Sequence, residues 1–446
     1  MATDDFFRAR LDQMIDLRHP LAVLARRMPW SQIETALAPV FVRKVSSGEP
    51  VEVDELFGPT LAVADAGVSA AGRPRLSIRL MASLLYLKHA FNLSDEAVAD
   101  RWAENVVWQY FSGQEYYEPR RPCDPTQIGR FRAAIGEAGV EELLKATIDT
   151  AVETKAVRPS EFERVIVDST VQEKAIAHPV DSRLLEIARA RVVSAAKRAG
   201  IALKQTFASE GKELRRRAGG YGHAKQFRRL RKVVKRQRPK DKNKLYALHA
   251  PEVECIGKGK ARRPYEFGVK ASIAVTHKSG LIVGARTFPG NPYDGHVLAA
   301  QLEQTAILLE DTGRKPKQVI VDLGYRGVDA DNPDVEILHR GKYKSMNKQQ
   351  RRWLKRRQAV EPAIGHLKAD HRMDRCWLVG SMGDALHAVL CAAGFNLRWL
   401  MRAIARLLAK ALSWASILAA LRVVLSWIGA TPADSRRTTL PLLAPR

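Results

Sequence analysis

A chain of 446 residues, 46% hydrophobic and 27% charged, is long enough for two or three domains around a sizeable core. Its 73 Lys and Arg against 48 Asp and Glu leave a net charge of +25, an excess that points to an anionic partner, nucleic acid first. Cys123, Cys255, Cys376 and Cys391 are scattered with no Cys-x-x-Cys pair, which argues against a zinc knuckle or a disulfide scaffold and fits a reducing compartment. The start, Met1-Ala2-Thr3-Asp4-Asp5, is acidic and lacks the apolar run of a signal peptide, so none is expected.

Residues 1–70 read as an arm and linker: short amphipathic pieces over 6–17 and 30–37, punctuated by Pro20, Pro29 and Pro39, then a Gly- and Ala-rich stretch over 66–73. Residues 71–155 read as an all-α DNA-binding or assembly domain. Over 75–91, Leu76, Ile78, Leu80, Met81, Leu84 and Leu85 recur at helical spacing. Asn92-Leu93 breaks the pattern, and Ser94 caps a second helix with Asp95 and Glu96 in its first turn. Helix, tight turn, helix suggests a helix-turn-helix-like unit. The second helix is too acidic to read DNA. A later helix opening near Thr126, with Arg130 and Arg132, is the better candidate; a packing module without DNA contact is the alternative.

Val165-Ile166-Val167-Asp168 is then a short β-branched run ending in a carboxylate, followed by a helical pattern over 182–208. Residues 212–244 are intensely basic and include Arg228, Arg229, Arg231, Lys232, Lys235 and Arg236, with a helix-like seam from Phe227, Leu230, Val233 and Val234. A basic helical arm along a DNA backbone is favoured over a merely solvated charged face. A β-hairpin follows, with strands over 265–275 and 281–288 and a turn over 276–280. After Gly290-Asn291-Pro292, Asp294 reads as the N-cap of a helix over 296–309, and residues 318–322 form a further strand ending at Asp322. This order predicts an α+β fold with mixed strand directions. The apolar stretch 411–430 is interrupted by Arg422, so one or two amphipathic helices are expected there and no membrane span.

Val-Ile-Val-Asp thus occurs twice, ending at Asp168 and Asp322. Each run looks like a strand buried on both faces. Neighbouring strand ends lie about 5 Å apart, so two such carboxylates can share a metal. For either Asp alone, a turn or cap is the commoner role. Glu361 adds specificity because it is the only acid between Arg351 and Lys368. On a helix, Arg357 four residues before and Lys368 seven after share its face, a pattern suited to metal on the acid and phosphate on the bases. An ordinary i,i+4 ion pair is the plain alternative for Arg357 and Glu361. Pro362 predicts a helix start or kink at this point.

Asp168 in Val-Ile-Val-Asp-Ser-Thr, Asp322 in Val-Asp-Leu-Gly-Tyr-Arg-Gly and Glu361 in Arg-Gln-Ala-Val-Glu-Pro-Ala-Ile-Gly-His-Leu-Lys resemble the DDE transposases of bacterial insertion sequences, most closely the group named after insertion sequence five. The likeness runs over about residues 76–400. It implies an RNase H-like catalytic domain over 156–400, with a mixed five-stranded sheet, Asp168 on its first strand, Asp322 after its fourth and Glu361 on a following helix. It also implies a basic helical insertion over 172–250 and leaves 401–446 as helices and tail. The three carboxylates would hold two Mg²⁺ ions, replaceable by Mn²⁺, for in-line displacement at phosphorus. Arg357 and Lys368 would neutralise phosphate, and the partners would be double-stranded DNA and a second copy of the chain on it. A cytoplasmic, nucleoid-associated bacterial protein is expected. The family pattern sets Tyr, Arg, Glu and Lys at fixed spacings; Arg357, Glu361 and Lys368 fit, while the Tyr position falls on Leu354 and Trp353 is one residue off. An RNase H-like nuclease without strand transfer and a non-catalytic DNA-binding regulator are the alternatives.

Overall fold

The computed structural model describes residues 9–41, 43–44, 50–51, 76–234, 237, 241, 244–257 and 264–429. The linker over 66–73, Lys235, Arg236 and the tail after 429 lie outside the described residues.

The first layer is helical: α1 (Leu11–Met14), α2 (Pro20–Arg27), α3 (Trp30–Leu37), α4 (Ile78–Ala90), α5 (Asp95–Glu104), α6 (Val106–Phe111) and α7 (Pro125–Glu153). Ser77 and Ser94 cap α4 and α5 by accepting the N–H of Leu80 and Ala97. Asn92 turns the chain between them at φ 56°, a conformation its short polar side chain tolerates. Nearly all of α4 is buried, so it is a core helix. Asp124 caps α7, which bends at Gly136 (φ 62°, ψ −164°), where a side chain would be strained. Arg132 does not face outward as a DNA-contacting residue would. It is buried, and its Nη1 lies 3.5 Å from Asp95 Oδ1, which also accepts Lys88 Nζ at 2.7 Å. Asp95 therefore fastens α5 to α4 and α7. Arg130, two residues earlier, is exposed.

Strands β1 (Arg164–Glu173), β2 (Glu254–Gly257), β3 (Tyr265–Thr276), β4 (Ile282–Phe288), β5 (Gln318–Ile320) and β6 (Glu336–Leu338) form one mixed sheet. β3 runs antiparallel to β1, and β2 and β4 pair antiparallel with successive parts of β3. On the other side of β1, β5 and then β6 run parallel. The hairpin expected over 265–288 is β3 and β4, turning at Gly280 with φ 72°. The sheet has six strands instead of five because β2 adds to the edge of β3.

Between β1 and β2 the chain forms α8 (Asp181–Arg198), α9 (Ala208–His223) and α10 (Phe227–Val233). The helix expected over 182–208 stops at Arg198, with Gly200 and Phe207 both at positive φ before α9. Ser182 and Ala218 are the buried residues of these three helices, so the segment is an arm with little core of its own.

The remaining helices are α11 (Asp294–Leu308), α12 (Lys348–Lys355), α13 (Val360–Asp370) and α14 (Gly380–Gly429). A boundary expected at 400 falls inside α14, which is continuous. By length and composition α14 is apolar enough to cross a membrane, but 67% of the apolar window within 380–411 is buried against the rest of the chain. It packs on α4, α7 and β4. One contiguous core runs from Leu21 through Val165 and Ile320 to Ile404, joining the helical layer to the sheet.

Candidate active site

Val165, Ile166 and Val167 are fully buried, as are Val319, Ile320 and Val321, so both carboxylate-bearing runs are interior strands. The parallel register pairs Arg164 with Gln318, Val165 with Val319 and Ile166 with Ile320. Asp168 and Asp322 each stand two residues beyond the last of these pairs, Ile166 and Ile320, where the two strands are about 4.8 Å apart as in any regular sheet. Pairing with β5 ends at Ile320, whereas β1 continues to Glu173 against β3 alone. The sheet opens there, at the carboxyl ends of parallel strands, the usual place for a ligand crevice in α/β sheets. Asp322 Oδ1 accepts its neighbour Leu323 N–H at 2.6 Å and Asp168 Oδ1 accepts Ser169 N–H at 2.9 Å, so each carboxylate has its second oxygen outside these turns.

Glu361 enters from α13. A 3₁₀ turn over Arg356–Ala359 follows α12, and α13 starts at Val360. Pro362 therefore sits in the first turn, where its missing N–H costs little. Glu361 lies in that turn too, favourably placed for the helix dipole. The tightened turn keeps the i,i+4 relation. Arg357 Nη2 is 3.3 Å from Glu361 Oε1, and Arg357 Nη1 is 3.4 Å from Asp168 Oδ2. One guanidinium thus bridges two acids that are 193 residues apart in sequence (361 − 168).

Lys368 is turned away from this bridge: its Nζ is 3.7 Å from Oε2 of the buried Glu266 on β3. On α10, Arg228, Arg229, Arg231 and Lys232 are exposed, with Arg229 donating to Gln226 Oε1 at 3.1 Å. An open cavity of about 540 Å³ beside Arg357 is lined by Arg340, Tyr343, Arg351, Leu354, Lys355, Arg357 and Gln358, so three further cations stand beside Arg357. No acid is among these residues, which favours an anion.

Asp294 is the first residue of α11, and its carboxylate does not cap the helix. Oδ1 instead accepts Ser169 Oγ at 2.8 Å and Lys270 Nζ at 2.9 Å. The Tyr325 hydroxyl is buried nearby. Burial first, then the charges of Asp294 and Asp168, push it well above the usual phenol range. A lysine inside the apolar run of β3 was the sequence sign of this second carboxylate.

Among the described residues, the group of three whose metal-ligating atoms all lie within 4.8 Å is His89, His387 and Cys391, buried between α4 and α14. Burial, followed by the charge of Lys88, holds His89 well below the usual imidazole range. With Lys88, Arg132 and Arg372 around it, this cluster is poorly suited to a divalent cation. The oxygens of Asp168, Asp322 and Glu361 are not drawn together as tightly. Their chemistry nevertheless fits Mg²⁺, an oxygen-preferring cation. The two terminal nitrogens of Arg357 meet one acid each, Nη1 Asp168 and Nη2 Glu361.

Residues 9–134 match the family described as Transposase domain (DUF772), and residues 232–397 match the Transposase DDE domain. The second span contains Asp322, Arg357, Glu361 and Lys368, with Asp168 ahead of it. The Rhizobium meliloti protein described as "Uncharacterized protein ORF8 in nfe locus" is 41% identical over 224 residues, covering 50% of this chain and 95% of that one. No solved structure matches significantly. With a transposase domain at its amino-terminal end and a transposase DDE domain behind it, the chain belongs to the DDE transposases of insertion sequences.

Proposed function

We propose that the chain cuts DNA at the ends of its element and joins the freed 3′ ends to target DNA, with Asp168, Asp322 and Glu361 as the acids of one active site. The observation that best supports this reading is that Arg357 links Asp168 to Glu361, while Asp168 and Asp322 each follow the paired residues Ile166 and Ile320 by two places. The order of the strands, with β3 antiparallel and β5 and β6 parallel to β1, supports an RNase H-like core.

The three carboxylates would hold Mg²⁺, which when bound would supply charge neutralisation at phosphorus and lower the pKa of the attacking hydroxyl. Asp168 is half-buried within β1, whereas Asp322, two residues past β5, and Glu361, 59% exposed, face solvent. Arg357 is placed to pass from its acids to a phosphate, and the cation-lined cavity beside it continues the track. Arg228, Arg229, Arg231 and Lys232 on the arm bind backbone, positioning DNA without reading it. Bringing two ends together calls for a dimer on DNA.

Asp168→Asn, Asp322→Asn and Glu361→Gln are the test. Each is expected to abolish cleavage of a duplex carrying the element's terminal sequence in Mg²⁺ while retaining binding to it. Undiminished cleavage by any one of the three overturns the assignment, and cleavage without joining of a pre-cut end would mark a nuclease instead.

A further inference from the structure

Resting on that reading, we infer that Asp294 is a positioning residue that sets the spacing of Asp168 and Asp322. It stands on a third element, α11, and reaches both strand ends. Through Oδ1 it takes the hydroxyl of Ser169, the residue next to Asp168, and the ammonium of Lys270 from β3. Lys270 also donates to the Pro292 carbonyl, which pins the turn that leads into α11. On its other side lies the loop after Asp322. A Cβ added to Gly324 would come within 3.0 Å of Asp294 Oδ2. The absence of a side chain at 324 is what lets that loop approach the carboxylate.

Oδ1 of Asp294 is thus taken up by two of this chain's own groups, the Ser169 hydroxyl and the Lys270 ammonium. It acts at one remove. The Ser169 hydroxyl orients the backbone that carries Asp168, and the Gly324 contact limits how far the Asp322 loop can drift from it. Lys270 compensates the charge, keeping a third carboxylate near the site without repelling the other two. Tyr325, buried nearby, has a hydroxyl that feels the charges of both Asp294 and Asp168.

Asp294→Asn keeps the size and loses the charge and part of the hydrogen bonding. In the full-length protein, Mn²⁺ binding followed by the free-ion EPR signal is expected to weaken about 10- to 100-fold, the range for a residue that orients a metal ligand. The Mg²⁺ concentration for half-maximal cleavage should rise in step. DNA binding in EDTA and the melting temperature in EDTA should stay near wild type. Ser169→Ala should give a smaller shift in the same direction. Unchanged Mn²⁺ affinity in Asp294→Asn overturns the role, as does a loss of DNA binding and melting temperature in EDTA as large as the loss of Mn²⁺ affinity. Asp168→Asn in parallel separates the two levels: if it leaves Mn²⁺ binding intact, the active-site reading fails, and the positioning role fails with it.

Discussion

Replacing Arg357 with Ala separates two uses of one guanidinium. On the Asp168 side both groups are sheltered, 17% and 19% exposed, and the 3.4 Å contact contributes on the order of 1–2 kcal/mol. On the Glu361 side the acid is 59% exposed, and an i,i+4 pair of this kind contributes about 0.3–0.5 kcal/mol. Alanine removes both and leaves the acids to repel one another. A divalent ion then no longer competes with a resident cation, and 1.4 kcal/mol is a factor of ten. Mn²⁺ affinity in the absence of DNA is therefore expected to rise about 10- to 50-fold. Cleavage should fall about 100-fold or more, because the phosphate loses its charge partner. Calorimetric titration with Mn²⁺, run beside cleavage of an end-bearing duplex in Mg²⁺, reads both quantities on the same preparation. Weaker or unchanged Mn²⁺ binding in the Ala variant would refute the idea that Arg357 and the metal contend for the same oxygens.

Replacing Arg228, Arg229, Arg231 and Lys232 together with Ala should flatten the slope of log K against log salt by roughly 3–4, since each phosphate contact contributes about 0.9. No residue of α10 is buried, so the melting temperature should hold; an unchanged slope would remove the arm from the DNA. The buried imidazoles give a pH test. Burial holds His387 down at about 3 and His371 at about 4, against about 6.5 for an unfolded imidazole. The unfolded chain binds the extra protons, so stability is full above about pH 6.5 and falls toward pH 4, by up to about 1.4 kcal/mol per unit for each imidazole. Urea midpoints measured across that window should show the loss, and His387→Gln should reduce it; equal slopes in the two proteins would contradict the assignment.

The parts of the fold written in local patterns were legible in the sequence. Ser94 with Asp95 and Glu96, the hairpin around Gly280 and the two Val-Ile-Val-Asp strands all formed where short-range chemistry put them. The parts set by distant contacts were not. β6 spans three residues, too few to show an alternation, and exists because β5 offers it an edge. Arg132 looked like a basic residue on a helix face, and only the fold brings Asp95 to it across 37 residues. Lys368 kept its sequence spacing to Glu361 yet met Glu266 of β3. Asp294 had the look of a helix cap, and its true partners, Ser169 and Lys270, lie on other strands.

Leu354 is where the resemblance asked for Tyr, and the packing explains how the helix does without it. Leu354 is buried, turned from solvent into the core beside the cavity. Trp353 points the other way, with the Arg164 guanidinium 3.3 Å above its ring. Its carbonyl accepts His277 Nε2 at 3.2 Å, and Arg356 donates to the Lys278 carbonyl at 2.8 Å. These contacts fasten α12 to the start of β1 and to the β3–β4 turn, which fixes the 3₁₀ turn that presents Arg357. A buried Tyr at 354 would need a partner for its hydroxyl. The phenol at this cavity comes instead from Tyr343, which Arg351 covers at 4.8 Å and which belongs to the turn Arg340–Ser345. The wall of the cavity thus has an aromatic hydroxyl from a different element, while α12, which leads into the turn presenting Arg357, is held by the tryptophan one place away from the expected position.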